Sequence, residues 1–192
     1  HKGECTVQEL SLNILDIAEN SVKAGAALVT VGVCYRPAQD RLTVTIADDG
    51  CGMDAETLQK VADPFYTTRT TRRVGMGLPL WKMAAEMTGG SMTVQSTPGA
   101  GTVVTAVFGM GHIDRLPLGD LPQTLVTLIG GSPEMDFRLE FDYDGRQFVV
   151  DTREVRQVLG EDIPLSEPEV LGFIAGQAAE GIAECCPRPE LL

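Results

Sequence analysis

The amino-acid sequence predicts an α+β fold in which helices and antiparallel strands form the separate layers of a two-layer α/β sandwich. Three observations predict it. Residues 10–22 repeat apolar side chains at helical spacing, and Gly25 follows as a stop. Two segments rich in Val, Ile and Thr come next, and a later pair of alternating segments flanks a turn at residues 97–100.

The elements of the first part follow in order. Predicted are a helix at 10–22, strands at 27–35 and 41–47, helices at 55–62 and 78–87, and a hairpin of 91–96 with 101–108. Asp54 is placed to cap the helix at 55–62, and Gly89 with Gly90 ends the helix at 78–87. Asp48 is predicted to lie at the end of the second strand.

A second unit is predicted beyond Gly109, where a Pro- and Gly-bearing segment begins. We expect a domain at 1–109, a linker at 110–119 and a small α+β domain of unknown function at 120–192. Within that domain the patterns predict helices at 120–129, 152–159 and 166–184, and a hairpin of 138–143 with 147–150. No chemistry is assigned to this unit.

Composition narrows the function classes. The 192 residues include 43% hydrophobic ones, which favours a globular protein, and no apolar run approaches the roughly 18 residues of a membrane span. The formal charge of -12 repels phosphate backbones and anionic headgroups. We therefore expect no nucleic-acid partner and no membrane partner.

The five cysteines are scattered and show no CxxC spacing, so neither a disulfide framework nor a zinc site is indicated. Reduced thiols are the preferred interpretation, and they favour a cytoplasmic location. The adjacent Cys185 and Cys186 leave a redox or metal role open.

Three glycine- or aromatic-containing motifs stand close together: DDGCGM at 48–53, DPFYTT at 63–68 and RVGMGL at 73–78. An acidic glycine turn alone is more often an ordinary hairpin turn, and the alternating ligands of an EF-hand are missing. With the Asn-bearing helix at 13–26, the motifs resemble those of the superfamily of gyrase, heat-shock chaperone ATPases, histidine kinases and MutL. The resemblance covers about residues 1–109, and its short lid is nearest to the histidine-kinase ATP-binding domain.

The resemblance implies the Bergerat-type ATP-binding fold, with ATP and Mg²⁺ as cofactors. Asp48 matches the carboxylate that accepts a hydrogen bond from the adenine amine. Gly50, Gly52 and Met53 match the turn that brings the backbone to the base, and Thr102 matches a position near adenine, with plain strand packing as the alternative.

The helix supplies the residues expected near the triphosphate. Asn20 matches the Mg²⁺ ligand, and Lys23 matches a basic residue that contacts phosphate, although a solvated helix-face charge explains it equally well. Asp16 stands where the ATPases carry a catalytic Glu. Asp is one methylene shorter than Glu, so we expect ATP binding more firmly than fast hydrolysis.

The second glycine turn and the helix behind it form an expected anion site. Its residues are Arg73, Gly75, Met76, Gly77 and Leu78. Arg73 departs from the family pattern because it occupies the place of a glycine.

The aromatic-Thr-Thr element and the arginines after it are assigned to the lid. Thr67 and Thr68 either hydrogen-bond phosphate or end the element, and the basic cluster of Arg69, Arg72 and Arg73 is assigned to ATP rather than to nucleic acid. His112 has the outline of a phosphoacceptor box but follows the ATP domain, so a surface linker residue is the favoured interpretation.

The function expected from the resemblance is ATP-Mg²⁺ binding with phosphoryl transfer to a partner protein in trans, or slow hydrolysis. The alternative class is a non-catalytic module in which nucleotide orders the lid and changes the surface shown to a partner. A degenerate fold that binds nothing is a third alternative, and a homodimer stays open.

Overall fold

The computed structural model describes residues 8–62, 77–189 and 192. The helices are α1 (Leu10–Lys23), α2 (Ala55–Ala62), α3 (Gly77–Met87), α4 (Leu121–Gly131), α5 (Thr152–Leu159) and α6 (Pro168–Cys185). The strands are β1 (Leu28–Arg36), β2 (Arg41–Asp48), β3 (Ser91–Thr97), β4 (Gly101–Gly109), β5 (Asp136–Tyr143) and β6 (Arg146–Asp151).

The strands form one six-stranded sheet in the order β3-β4-β2-β1-β5-β6. Neighbouring strands are antiparallel except β1 and β5, which run parallel. A parallel pair needs a long crossover, and α4 lies on the connection that precedes β5. The sheet therefore joins the N-terminal and C-terminal parts of the chain through β1 and β5.

The core lies on one face of this sheet, because alternate residues of the paired strands point to the same side. Val31 is in register with Ile46 and Leu139, and Ile46 is in register with Val104. All four side chains are buried. A continuous apolar surface consequently runs across β4, β2, β1 and β5.

The helices cover this surface in nearly the order of the strands. Helix α3 packs on β3 and β4, α1 on β1 and β2, α4 on β5, and α6 on β5 and β6. The apolar stripe of α1 explains its placement, since Leu10, Ile14 and Ile17 are all buried. The predicted two-layer α/β sandwich is confirmed.

The segment between β4 and α4 is tied to the beginning of α1. The carbonyl of Pro117 accepts from the Leu10 amide at 2.9 Å, and that of Leu118 accepts from the Ser11 amide at 2.8 Å. These bonds satisfy amides that have no partner within the helix. The division into 1–109, 110–119 and 120–192 stays a prediction. The structure adds that strands of the first and the last of these ranges belong to one sheet.

Capping and turn residues correctly predicted several boundaries of helices and strands. The side chain of Asp54 accepts from the Thr57 amide at 2.7 Å before α2, and Gly25 has a φ of +73° after α1. Asp144 and Gly145 both have positive φ in the two-residue turn between β5 and β6. Within residues 8–62 and 77–189, no helix has the length and apolar character needed to cross a membrane.

Candidate nucleotide-binding site

A row of polar side chains crosses three strands at one end of the helix-facing surface. Thr102 of β4 is in register with Asp48 of β2 on one side and with Ser96 of β3 on the other. The row lies two residues beyond the buried Ile46 and Val104, so the apolar core ends where these polar groups begin.

The carboxylate of Asp48 is held in place from two directions. Its Oδ2 accepts from the Ser21 hydroxyl of α1 at 2.6 Å, and its Oδ1 accepts from the Gly50 amide at 2.9 Å. Asp48 is half-buried, whereas Ser21 is only 6% exposed. Because each carboxylate oxygen has two lone pairs, this group keeps the capacity to accept from a ligand amine.

The backbone around Asp48 approaches its neighbours too closely for side chains. A Cβ on Gly50 would come within 2.9 Å of the Ala24 carbonyl oxygen. A Cβ on Gly52, whose φ is +67°, would overlap the Thr97 carbonyl, and one on Gly101, whose φ is +119°, would overlap the Asp48 carbonyl. The glycines therefore allow three segments to meet at the end of β2.

Met53 and Thr102 join the same cluster through Ser96. The Ser96 hydroxyl oxygen accepts from the Met53 amide at 2.8 Å and lies 2.8 Å from the Thr102 hydroxyl. Thr102 thus contacts Ser96 of β3 through its hydroxyl and is the register partner of Asp48 on β2.

Asp49 binds backbone amides near the start of β1, whereas Asp48 also binds the Ser21 hydroxyl. Its Oδ1 accepts from the amides of Ala27 and Leu28 at 2.8 and 2.9 Å. These backbone donors, Leu28 first, lower the pKa of the Asp49 carboxyl below its ordinary value. Asp49 fastens the glycine turn to the start of β1.

The three polar residues predicted on α1 are spaced four and three apart and lie on one side of that helix. Asp16 and Lys23 are exposed, and Asn20 is half-buried. A Cβ on Gly77 would lie 3.9 Å from the Asp16 Cβ and 3.9 Å from the Ile17 Cγ1. The beginning of α3 therefore lies beside this side of α1.

Leu78 is 8% exposed and its side chain packs in the core, which leaves only its backbone available to a ligand. Five of the predicted residues, Thr67, Thr68, Arg73, Gly75 and Met76, lie outside the described residues, as do Arg69 and Arg72. Among the residues described, no group of three or more His, Cys, Asp or Glu side chains forms a metal site.

Sequence reasoning did not single out Ser21 or Ser96. The signal for Ser21 was available, because it follows Ile14, Ile17 and Ala18 on the apolar side of α1, where a hydroxyl requires a partner. Ser96 carried no such signal, since its partners depend on the register of β3 with β4.

The fold and the polar cluster define the class of protein. An α/β sandwich with an Asp-Gly turn at the end of a central strand, facing a helix that carries Asn20, is the arrangement implied by the motifs. The model of the histidine kinase-, DNA gyrase B- and HSP90-like ATPase family matches residues 6–112. The chain belongs to this ATPase family, and membership implies a site for ATP.

Among the curated relatives are bacterial proteins, including sensor kinases. A non-motile and phage-resistance protein of Caulobacter vibrioides is 33% identical over 115 residues, which are 57% of this chain and 14% of that protein. The sensor protein kinase FleS of Pseudomonas aeruginosa is 33% identical over 119 residues, 62% of this chain and 29% of the kinase. The chain thus matches less than a third of the length of either relative.

A solved structure shows the same fold. The N-terminal domain of a DNA repair protein superposes with a TM-score of 0.51 at 14% identity, covering 74% of this chain and 51% of that one. At this identity the likeness concerns the fold alone.

Proposed function

We propose that this chain binds ATP with Mg²⁺ at the Asp48 cluster and transfers phosphate to a partner protein in trans, or hydrolyses ATP slowly. The observation that carries the proposal is the Asp48 carboxylate, fixed between the Ser21 hydroxyl and the Gly50 amide at the end of the apolar core. Family membership supplies the nucleotide.

Asp48 is proposed to recognise adenine. A carboxylate accepts a hydrogen bond from the exocyclic amine, and its orientation here is set before a ligand arrives. Gly50 and Gly52 let the turn pack closely against Ala24 and Thr97, which fixes its position, and Thr102 adds a hydroxyl in the neighbouring register position. A fixed acceptor with a second polar group near it suits the edge of a purine.

The side of α1 near Gly77 is proposed to hold the phosphates and the metal. Asn20 offers an amide oxygen, and Mg²⁺ usually takes one or two protein ligands together with substrate phosphates. When bound, the ion neutralises charge on the phosphates. Lys23 is proposed to add a positive charge from the same side, and the N-terminus of α3 to point its amides at the anion.

The relatives support phosphoryl transfer as the reaction class, because FleS and the signal transduction histidine-protein kinase AtoS of Escherichia coli are kinases by name. Asp16 is the proposed base. It is exposed and lies beside Gly77. Its side chain is short for this role, an observation that favours the second candidate, a nucleotide-gated interaction module without turnover.

Calorimetry with ATP and ADP, with and without Mg²⁺, tests the binding proposal. Asp48→Asn keeps the size of the side chain but removes the carboxylate, and we expect it to weaken ATP binding by about tenfold or more. Asp54→Asn is the matched control, because Asn also caps helices and only a carboxylate of the same loop is lost. Equal ATP affinity in Asp48→Asn and wild type would remove the adenine assignment.

A further inference from the structure

A groove lies at the C-terminal edge of the sheet, away from the Asp48 cluster. Its walls are the edge strand β6, helix α5, residues 160–164 and helix α6, and its volume is about 690 Å³. The walls present apolar side chains at helical spacing, namely Val155, Val158 and Leu159 of α5 and Val170, Phe173 and Ile174 of α6.

Several of these side chains are exposed although they are large and apolar. Val158 is 87% exposed, Phe173 60%, Ile163 45% and Val149 42%, and all four line the groove. Scattered exposed apolar residues are ordinary, but a contiguous set in one concave surface marks an interaction site.

The charges of the groove have one sign. Its charged lining residues are all carboxylates, and Glu154, Asp162, Glu167 and Glu169 make no salt bridge or side-chain hydrogen bond in the part of the chain that the structure describes. The fifth, Asp151, is buried and paired with Arg138 and Arg153. The groove thus combines an apolar floor with an acidic rim.

We propose that this groove binds an amphipathic helix of another protein, one whose apolar stripe is flanked by Lys and Arg. Two of the walls are helices, and side chains repeating at i, i+3 and i+4 complement a third helix. Lysines and arginines complement the four unpaired carboxylates. A second copy of this chain fits poorly, because each copy carries a formal charge of -12.

The groove is separate from the proposed nucleotide site. Strand β6 is three strands from β2, which corresponds to about 14 Å across the sheet at the usual spacing. Binding in the groove therefore does not depend on the assignment of Asp48, and the two proposals can fail independently.

The test uses a fluorescein-labelled peptide of about 18 residues, long enough to form a helix, with leucines on one face and lysines on the other. Fluorescence anisotropy measures its binding to the full chain. We expect binding that Val158→Asp and Phe173→Asp each weaken by about tenfold or more. Both changes add negative charge, which attracts a cationic peptide, so weaker binding isolates the loss of apolar contact. Ile113→Asp, at a residue that is 94% exposed outside the groove, is the control.

The acidic rim is tested with charge reversal. Glu167→Lys and Glu169→Lys should weaken binding several-fold more than Glu180→Lys, which lies at an exposed position of α6 outside the groove. A Leu/Glu peptide of the same pattern should bind at least about tenfold more weakly than the Leu/Lys peptide. Circular dichroism and a cooperative urea transition measured on each variant report that the protein is folded.

Four results would overturn the proposal. The first two are that the Leu/Lys peptide does not bind, or that it binds both groove variants as tightly as wild type. The third is that Glu180→Lys and Glu167→Lys weaken binding equally. The fourth is that wild type associates with itself and that Phe173→Asp abolishes this association. The last would assign the groove to a second copy.

Discussion

Ser21 orients Asp48 of the candidate site, because its hydroxyl donates to one oxygen of that carboxylate. Ser21→Ala removes that donor from a buried position, and we expect a loss of about 1 kcal/mol in the free energy of unfolding. We also expect several-fold weaker ATP binding, since the Gly50 amide is then the one remaining described partner that orients the carboxylate. Urea unfolding and calorimetry measure the two effects.

Ser11→Ala is the matched control for this change. Ser11 is also buried on α1, and its hydroxyl donates to the Glu9 carboxylate at 3.2 Å, away from Asp48. Its replacement should alter stability but leave the affinity for ATP unchanged. The positioning role of Ser21 is wrong if both variants change ATP affinity equally.

Asp16 separates the two candidate functions. If it acts as the base, Asp16→Asn should slow phosphate release or partner labelling by about 100-fold while leaving ATP affinity within a few-fold of wild type. Glu19→Gln serves as the control. Gly77 lies beside Asp16 and Ile17, whereas Glu19 lies on the side of Asp16 that is turned away from Ile17 and Gly77. An unchanged rate in Asp16→Asn would remove Asp16 as the base, whereas wild type that binds ATP but neither releases phosphate nor labels a partner would favour the nucleotide-gated module.

At this scale the sequence pointed to residues that belong to recognisable motifs and missed those whose contacts depend on the fold. Asp48, Gly50 and Gly52 were predicted from the resemblance of several motifs together, since an Asp-Gly turn alone is more often an ordinary turn, and their role towards a nucleotide stays a prediction. Ser21 and Ser96 gain their roles from partners 27 and 43 residues away in the chain. No local pattern encodes those distances.

The elements themselves were largely predictable, since caps and turns are local. Asp120 was placed at the start of α4, and its side chain accepts from the Gln123 amide at 3.0 Å. The predicted bounds of α2 and α5 agree with the structure, whereas α6 begins at Pro168, two residues later than predicted. Pro is favoured in the first turn of a helix, which accounts for the later start.

Asp151 stabilises the junction of β6 with α5, and this contribution depends on pH. Its buried carboxylate accepts from Arg153 and Arg138, and these bonds, Arg153 first, lower its pKa to about 2. A carboxyl with a lowered pKa stabilises the fold above its unfolded value of about 4, and the contribution is lost as pH falls from about 4 to about 2.

Asp151→Asn should therefore lower the free energy of unfolding by about 1 to 2 kcal/mol at pH 7, a range that allows for the partly exposed arginines. The gap to wild type should narrow below about pH 4. Urea unfolding at a series of pH values from 7 to 3 measures it, with Glu180→Gln as an exposed control. A gap that stays constant over the whole series would contradict the assigned cause.

On the scale of the whole molecule, the layers could be predicted but the strand order could not. Hydrophobic periodicity gives each strand one apolar face, which requires a helical layer. Nothing local specifies that β5 pairs in parallel with β1, because that pairing joins residues more than 100 positions apart. The C-terminal part was consequently expected as a separate domain, although its strands complete the same sheet.

The shared sheet leads to a prediction about residues 1–111 expressed alone. Without β5 and α4, the inner edge of β1 and the side of α1 that meets α4 become exposed, and β1 loses the Arg36 ion pair with Asp142. Each large core side chain left uncovered costs about 1.5 to 3 kcal/mol, and a typical domain has about 5 to 15 kcal/mol in total. We expect the fragment to lose cooperative unfolding, as followed by circular dichroism in urea, while the full chain unfolds in one transition.

Arg36→Ala in the full chain is the milder companion change and should lower stability without loss of cooperativity. A fragment that unfolds cooperatively and binds ATP would instead support an independent domain ending at Gly109.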